Sequence, residues 1–223
     1  VACYYNIGVL HHNMGDYSAA LSSLKHCLEI YDTSSTNENL ISAYLYHFMG
    51  RVYQSMEDYV QALNFYEKAL NIREHLLPQK HPDLAITYCC LGDVYRLTGK
   101  YESALLFEQK ALEIQENVTC NELDMATTYV CLGEALRETH EYPSALTYCE
   151  KALKIRERML PKIHLDLAIT HHSLAQIYCA TEEYSSAAEH ARLAVEIVQQ
   201  SSANEHPYSL YFKATLGKRG KQL

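Results

Sequence analysis

Histidine, cysteine and arginine are the side chains in this sequence with chemistry to offer. The 223 residues include 12 histidines and 8 cysteines. Gathered in fours these types hold structural zinc, and a cysteine beside a histidine can act as a nucleophile. Their spacing argues against both. His11-His12 and His171-His172 are adjacent pairs, so each pair splits across two directions of a helix. His164 and His171 are seven apart and could share a face, but no third ligand stands at helical spacing from them. Cys89 with His47 or His172 could make a nucleophile and base, yet nothing supplies an orienting third group or an oxyanion hole. No CxxC pair and no glycine-rich phosphate loop occurs. We therefore expect no catalytic residue, no cofactor and no metal, and read the cysteines as buried free thiols. Asn117-Val118-Thr119 matches a glycosylation sequon with no signal peptide before it, and is read as chance.

The remaining residues must then be understood through the elements that position them. Hydrophobic residues make up 48% of the chain, with 8 glycines, 5 prolines and a net charge of −8. This suits a soluble, ordered protein with short connections. No stretch is apolar enough to cross a membrane, and no basic face for nucleic acid stands out. Gly8, Gly50, Gly92 and Gly133 recur at steps of 42, 42 and 41, followed by Ala175 and Gly217 at 42 and 42. Nine residues after each of the first five come Tyr17, Tyr59, Tyr101, Tyr142 and Tyr184. Twelve after come Ala20, Ala62, Ala104, Ala145 and Ala187. Nineteen after come Cys27, Ala69, Ala111, Ala152 and Ala194. So many columns in step mean an internal repeat, which decides the fold.

Each unit divides into two helices. In the third, Tyr88, Leu91, Gly92 and Tyr95 mark one face of a first helix at i, i+3, i+4, i+7 spacing. The glycine on that face lets a partner helix approach, at a propensity cost of about 1 kcal/mol relative to alanine. Thr98-Gly99-Lys100 breaks the chain. A second helix then carries Tyr101, Ala104, Leu105, Ala111, Leu112 and Ile114. Pro82, Pro143 and Pro207 suit helix starts. Leu77-Pro78 and Leu160-Pro161 mark second-helix ends, and polar stretches such as Asp32 to Glu38 join the units.

The glycine, tyrosine and alanine columns resemble the tetratricopeptide repeat. The 42-residue period, the His81-Pro82-Asp83-Leu84-Ala85 start and the Tyr66-Glu67-Lys68-Ala69-Leu70-Asn71-Ile72-Arg73-Glu74 segment resemble the long-helix variety of kinesin light chains and nephrocystin-type proteins. The resemblance implies an all-α fold, a right-handed superhelical solenoid of antiparallel helix pairs. Its units are expected at 1–38 with a shortened first helix, 39–80, 81–121, 122–163 and 164–205. A capping helix and basic tail follow at 206–223, where His206-Pro207 starts a helix and Lys218-Arg219-Gly220-Lys221 leaves the pattern. The short first helix is read as the start of a piece cut from a longer protein.

The resemblance further implies that first helices line a concave, protein-binding groove. Its lining positions are three and two before, one after and four after each glycine. These bring in Tyr5, His47, Cys89 and His172; Asn6 and Phe48; Arg51, Asp93, Glu134 and Gln176; and His12, Gln54, Arg96 and Arg137. Tyr44 is expected to face the groove as well. These columns vary from unit to unit while the packing columns repeat, as a surface fitted to an irregular partner would. Arg51, Arg96 and Arg137 favour acidic segments, with hydrophobic ones beside them, unless Asp93, Glu134 and Glu138 neutralise two of the three. The expected role is a protein-interaction scaffold in the cytoplasm, a cargo or adaptor module like kinesin light chain. The rival reading is the regulatory or substrate-docking arm of a larger enzyme. Kinesin light chains carry asparagine two before the glycine in several consecutive units, and only Asn6 keeps it here. Self-association through exposed solenoid ends is a further expectation for partners.

Overall fold

The computed structural model describes residues 2–34, 39–118 and 121–201, which form two compact units divided after Cys120. Within the first unit α1 (Ala2–Asn13), α3 (Leu40–Ser55) and α5 (Pro82–Leu97) are first helices. They pack on α2 (Tyr17–Ser34), α4 (Tyr59–Leu76) and α6 (Tyr101–Asn117). In the second unit α7 (Glu122–Glu138) pairs with α8 (Tyr142–Met159), and α9 (Leu165–Ala180) with α10 (Tyr184–Gln200). Each unit is thus an all-α stack of helix pairs. No helix among the described residues is long and apolar enough to cross a membrane. The polar joint expected from Asp32 begins later, because α2 runs through Ser34. The capping helix and basic tail expected at 206–223 lie outside the described residues.

Local chemistry sets the helix ends. His81 and His164 start α5 and α9, each Nδ1 accepting a hydrogen bond at 3.2 Å from the backbone amide two residues on. Asn39 and Asn121 cap α3 and α7 in the more usual way, through a side-chain oxygen. Leu77 and Leu160 end α4 and α8 in extended conformation, each just before a proline.

Between first and second helix the chain reverses by one recurring device. Seven residues after the glycine column the backbone turns left-handed, at Gly15, Glu57, Gly99, His140 and Glu182, with φ of 79°, 61°, 75°, 65° and 63°. The next amide reaches back five residues, as in Asp58 to the Tyr53 carbonyl at 3.0 Å and Glu141 to that of Leu136 at 2.8 Å. This is a Schellman closure, in which glycine is the unstrained choice. Three of the five turns use a residue with a side chain. Glu57→Gly is therefore expected to raise stability slightly, by about 0.5 kcal/mol once the extra freedom of an unfolded glycine is deducted from a left-handed penalty of about 1–2 kcal/mol. Urea unfolding would check it.

The core lies between paired helices. Within the first unit it also runs between successive helix pairs, α2 against α3 and α4 against α5. Ala20, Leu24, Leu45, Met49 and Val52 form one cluster of the first unit, and Ala62, Tyr66, Leu91 and Val94 another. The glycine column is buried and meets one partner position, sixteen residues on. Gly8 faces Leu24, Gly50 faces the Tyr66 ring, Gly92 faces Glu108 and Gly133 faces Cys149. In the fifth pair the column holds the buried Ala175, and the residue sixteen on is Ala191.

Candidate functional site

First helices present the predicted lining residues, and each unit arranges its own set. In the first unit Phe48 is buried at 5% exposure, beneath the surface rather than on it. It has aromatic neighbours on both sides: Tyr5 with ring centroids 5.6 Å away and His12 at 5.5 Å. His12 also bonds Ser55 Oγ through Nε2 at 3.0 Å. The exposed Arg51 guanidinium lies 5.4 Å from the Phe48 ring centroid, a cation over an aromatic face. Asn6 is exposed nearby in sequence on α1.

The other charged members are engaged with one another. Gln54 Nε2 donates to Asp93 Oδ2 at 2.5 Å and its Oε1 accepts from the Tyr66 hydroxyl at 2.8 Å. Asp93 also takes Arg96 in an ion pair at 2.5 Å. Cys89 is half-buried, with the Gln115 amide donating toward Sγ at 3.9 Å. In the second unit Arg137 pairs with Glu138, Ser173 donates to Glu134 at 2.7 Å, and His172 and Gln176 meet at 3.0 Å. Of the three arginines expected to line a groove, Arg96 and Arg137 have acidic partners within their own helices. Arg51 has the Phe48 ring and no carboxylate among the described residues.

His47 is mostly buried, its ring 5.3 Å from Tyr66. Burial, then the charges of Arg73 and Arg51, hold its pKa down to about 3. A histidine kept neutral in the fold but free to protonate near 6.5 when unfolded makes stability pH-dependent. That contribution is whole above about pH 6.5 and is lost as pH falls toward 3. His47→Phe is expected to flatten the acid side of the first unit's stability curve, measured by urea unfolding at pH 7 and pH 5.

Tyr44 leads to residues the sequence reading passed over. Its hydroxyl donates to Asp83 Oδ2 at 2.5 Å, and that bond raises its pKa. Its ring covers Arg73, whose guanidinium carbon is 5.0 Å from the centroid. Arg73 is only 2% exposed, and burial lowers its pKa. Its Nη1 donates to the Asp83 carbonyl at 3.0 Å and to Thr87 Oγ1 at 2.5 Å. Arg156 repeats this in the second unit, with bonds to the Asp166 carbonyl at 2.9 Å and Thr170 at 2.7 Å, and adds Thr127 at 3.0 Å. The signal was present in the sequence. Asp-Leu-Ala-Ile-Thr occurs at both 83–87 and 166–170, each ten residues after an arginine.

Nothing in this arrangement gathers reactive groups. Burial raises Cys90 to about 12 and Cys149 upward as well, so neither is an activated thiolate. The described cysteines are all free thiols. Among the described residues no three of His, Cys, Asp or Glu come together as metal ligands.

Stacked helix pairs, small residues at every crossing and a varied first-helix face define a helical-repeat protein of the interaction-scaffold class. The family model "Tetratricopeptide repeat" matches residues 40–117 and 124–200, and a second model of the same description matches 1–33. The chain belongs to the tetratricopeptide repeat family. No curated protein sequence matches it. Among solved structures the apo form of RapI is similar over 97% of this chain and 76% of its own, with TM-score 0.79 and 22% identity. Kinesin light chain-type repeats from Podosopora anserina are similar over 90% and 97%, with TM-score 0.72 and 19% identity. BtubC (BKLC) from P. vanneervenii is similar over 85% and 76%, with TM-score 0.72 and 21% identity. At these identities the likeness is one of fold. The repeat architecture is that of a scaffold for protein partners and is typically non-catalytic.

Proposed function

We propose that the chain is an adaptor that docks a segment of a partner protein on its first helices, with an acidic residue placed at Arg51 and apolar residues beside it. One observation carries this reading. Arg51 is exposed over the buried Phe48, flanked by Tyr5 and His12, while Arg96 and Arg137 are committed to acidic neighbours. A guanidinium resting on an aromatic face is held in place by the ring and keeps its N–H edge for a carboxylate. The aromatic edges around it suit a leucine or phenylalanine next in sequence.

The test is a random peptide display library screened against the protein and against Arg51→Glu and Arg96→Glu variants. Peptides pairing Asp or Glu with an apolar residue should be enriched, and Arg51→Glu should lose them at least tenfold. Arg96→Glu should matter less, because Arg96 already spends its charge on Asp93. Enrichment unchanged in Arg51→Glu would remove this face from consideration.

A further inference from the structure

The fifth helix pair departs from the second, third and fourth at three positions of the framework. In three earlier pairs a first-helix tyrosine meets an aromatic ring of the second helix, and a lysine three residues further along covers both. Tyr46 and Phe65 have centroids 6.1 Å apart, with Lys68 Nζ at 5.7 and 5.2 Å from them. Tyr88 and Phe107 carry Lys110 at 5.4 and 5.6 Å, and Tyr129 and Tyr148 carry Lys151 at 5.5 and 5.3 Å. The same three columns hold His171, His190 and Leu193 in the fifth pair. Two ionisable rings replace the neutral ones, and the cation that would oppose their charging is gone.

The two rings are joined. His171 Nδ1 and His190 Nδ1 are 2.9 Å apart, so one nitrogen carries the hydrogen and the other accepts it. His171 is 7% exposed, and Tyr178 stacks on His190 at 5.4 Å. We propose that this pair is a proton-operated latch: it ties α9 to α10 while it holds at most one extra proton, and a second proton releases α10.

The surroundings fit that asymmetry. Burial lowers the pKa of His190, opposed in part by Glu189 of α10 and by Glu150 and Glu157 of α8. Burial, then Glu150 and Glu183, raise the pKa of Tyr178 of α9, so its hydroxyl stays neutral. From α7 the carboxylate facing α9 is Glu134, which accepts from Ser173. His172, next to His171, is turned to Gln176. His171 has no carboxylate acting on it; burial and then the neighbouring His190 lower its pKa to about 4. A first proton settles on the distal nitrogen of one ring and strengthens the bond between them. A second leaves two N–H groups and two charges face to face with no acceptor, and the rings must part. The two protons belong to the pair, so they are expected as separate steps. The second step falls in the acid range where a free histidine would already be charged.

The experiment uses the full chain. Amide hydrogen exchange of α10 is compared at pH 7, 5.5 and 4.5 with that of a variant rebuilt as the third pair, His171→Tyr with His190→Phe and Leu193→Lys. Protection of α10, normalised to its pH 7 value, should fall at least tenfold more in the natural protein than in the variant by pH 4.5. Equal loss in both would overturn the latch. Ring-nitrogen NMR of the natural protein stands independently of whether the variant folds. Two separated steps, the lower one coinciding with the loss of α10 protection, are expected. Two independent titrations near pH 6.5 would overturn the proposal.

Discussion

Gly50→Ala should lower the stability of the protein by about 1–2 kcal/mol, although alanine is the better helix former. The substitution gains about 1 kcal/mol of helix propensity. Against this, a Cβ at position 50 would stand 2.7 Å from Tyr66 Cδ1 and 2.8 Å from Cε1. The ring cannot step aside. Tyr66 is fully buried and its hydroxyl is tied to Gln54. Overpacking a fixed core costs about 1–3 kcal/mol, more when backbone must shift, so the loss outweighs the gain. Gly8→Ala is the control. There the new Cβ would meet Leu24 side-chain carbons at 3.1 Å, and a leucine can give by a few tenths of an ångström. Thermal melts of the two variants should separate clearly, with Gly8→Ala near the natural protein. A melting point for Gly50→Ala at or above that of the natural protein would mean that α3 and α4 do not cross this closely.

The larger loss, about 3 kcal/mol, is expected for Arg156→Ala. Arg156 is 3% exposed and ties three helices of the second unit, from α8 to Thr127 on α7 and to Asp166 and Thr170 on α9. Truncation leaves a cavity the size of most of an arginine side chain, and buried large-to-small changes cost about 2–5 kcal/mol. The acceptors lose a donor as well, although Thr170 Oγ1 keeps its own bond to the Asp166 carbonyl at 2.8 Å. Arg156→Met separates the two effects. It refills the apolar stem and removes a charge that is buried without a direct carboxylate partner, and such replacements are often neutral or better. Urea unfolding should rank the natural protein and Arg156→Met together, well above Arg156→Ala. If Arg156→Met falls as far as Arg156→Ala, the hydrogen bonds rather than the volume hold the three helices.

These residues also mark where sequence reasoning works and where it stops. Column periodicity reports which face of a helix is buried, so the helix pairs, the glycine crossings and the start at His81 could be read in advance. It does not report which long side chain reaches between helices. Arg73 and Arg156 sit in polar-looking second-helix segments, and only their fixed distance from a repeated Asp-Leu-Ala-Ile-Thr betrays the clamp. Phe48 was placed on the groove face by spacing. Its bulk instead sinks below the surface and leaves Arg51 on top. The arginine question was open in the sequence because Asp93 and Glu138 are near in number, and near in number does not fix a rotamer. The His171–His190 pair was missed for the same reason. The two stand nineteen apart, on different helices, and only packing brings them together.

The partners of the glycine column bear on how such a protein can be recombined. Leucine, tyrosine, glutamate and cysteine meet it in the first four pairs. The crossing is therefore a lock with a separate key in each pair, and the helices are not interchangeable parts. A chimera that sets α3 against α8 would offer Gly50 the small Cys149, leaving empty the volume of a phenol ring and Gln54 without its hydroxyl. Grafting whole helix pairs keeps lock and key together, so cut points for chimeras belong in the joints between pairs and not in the left-handed turns within them.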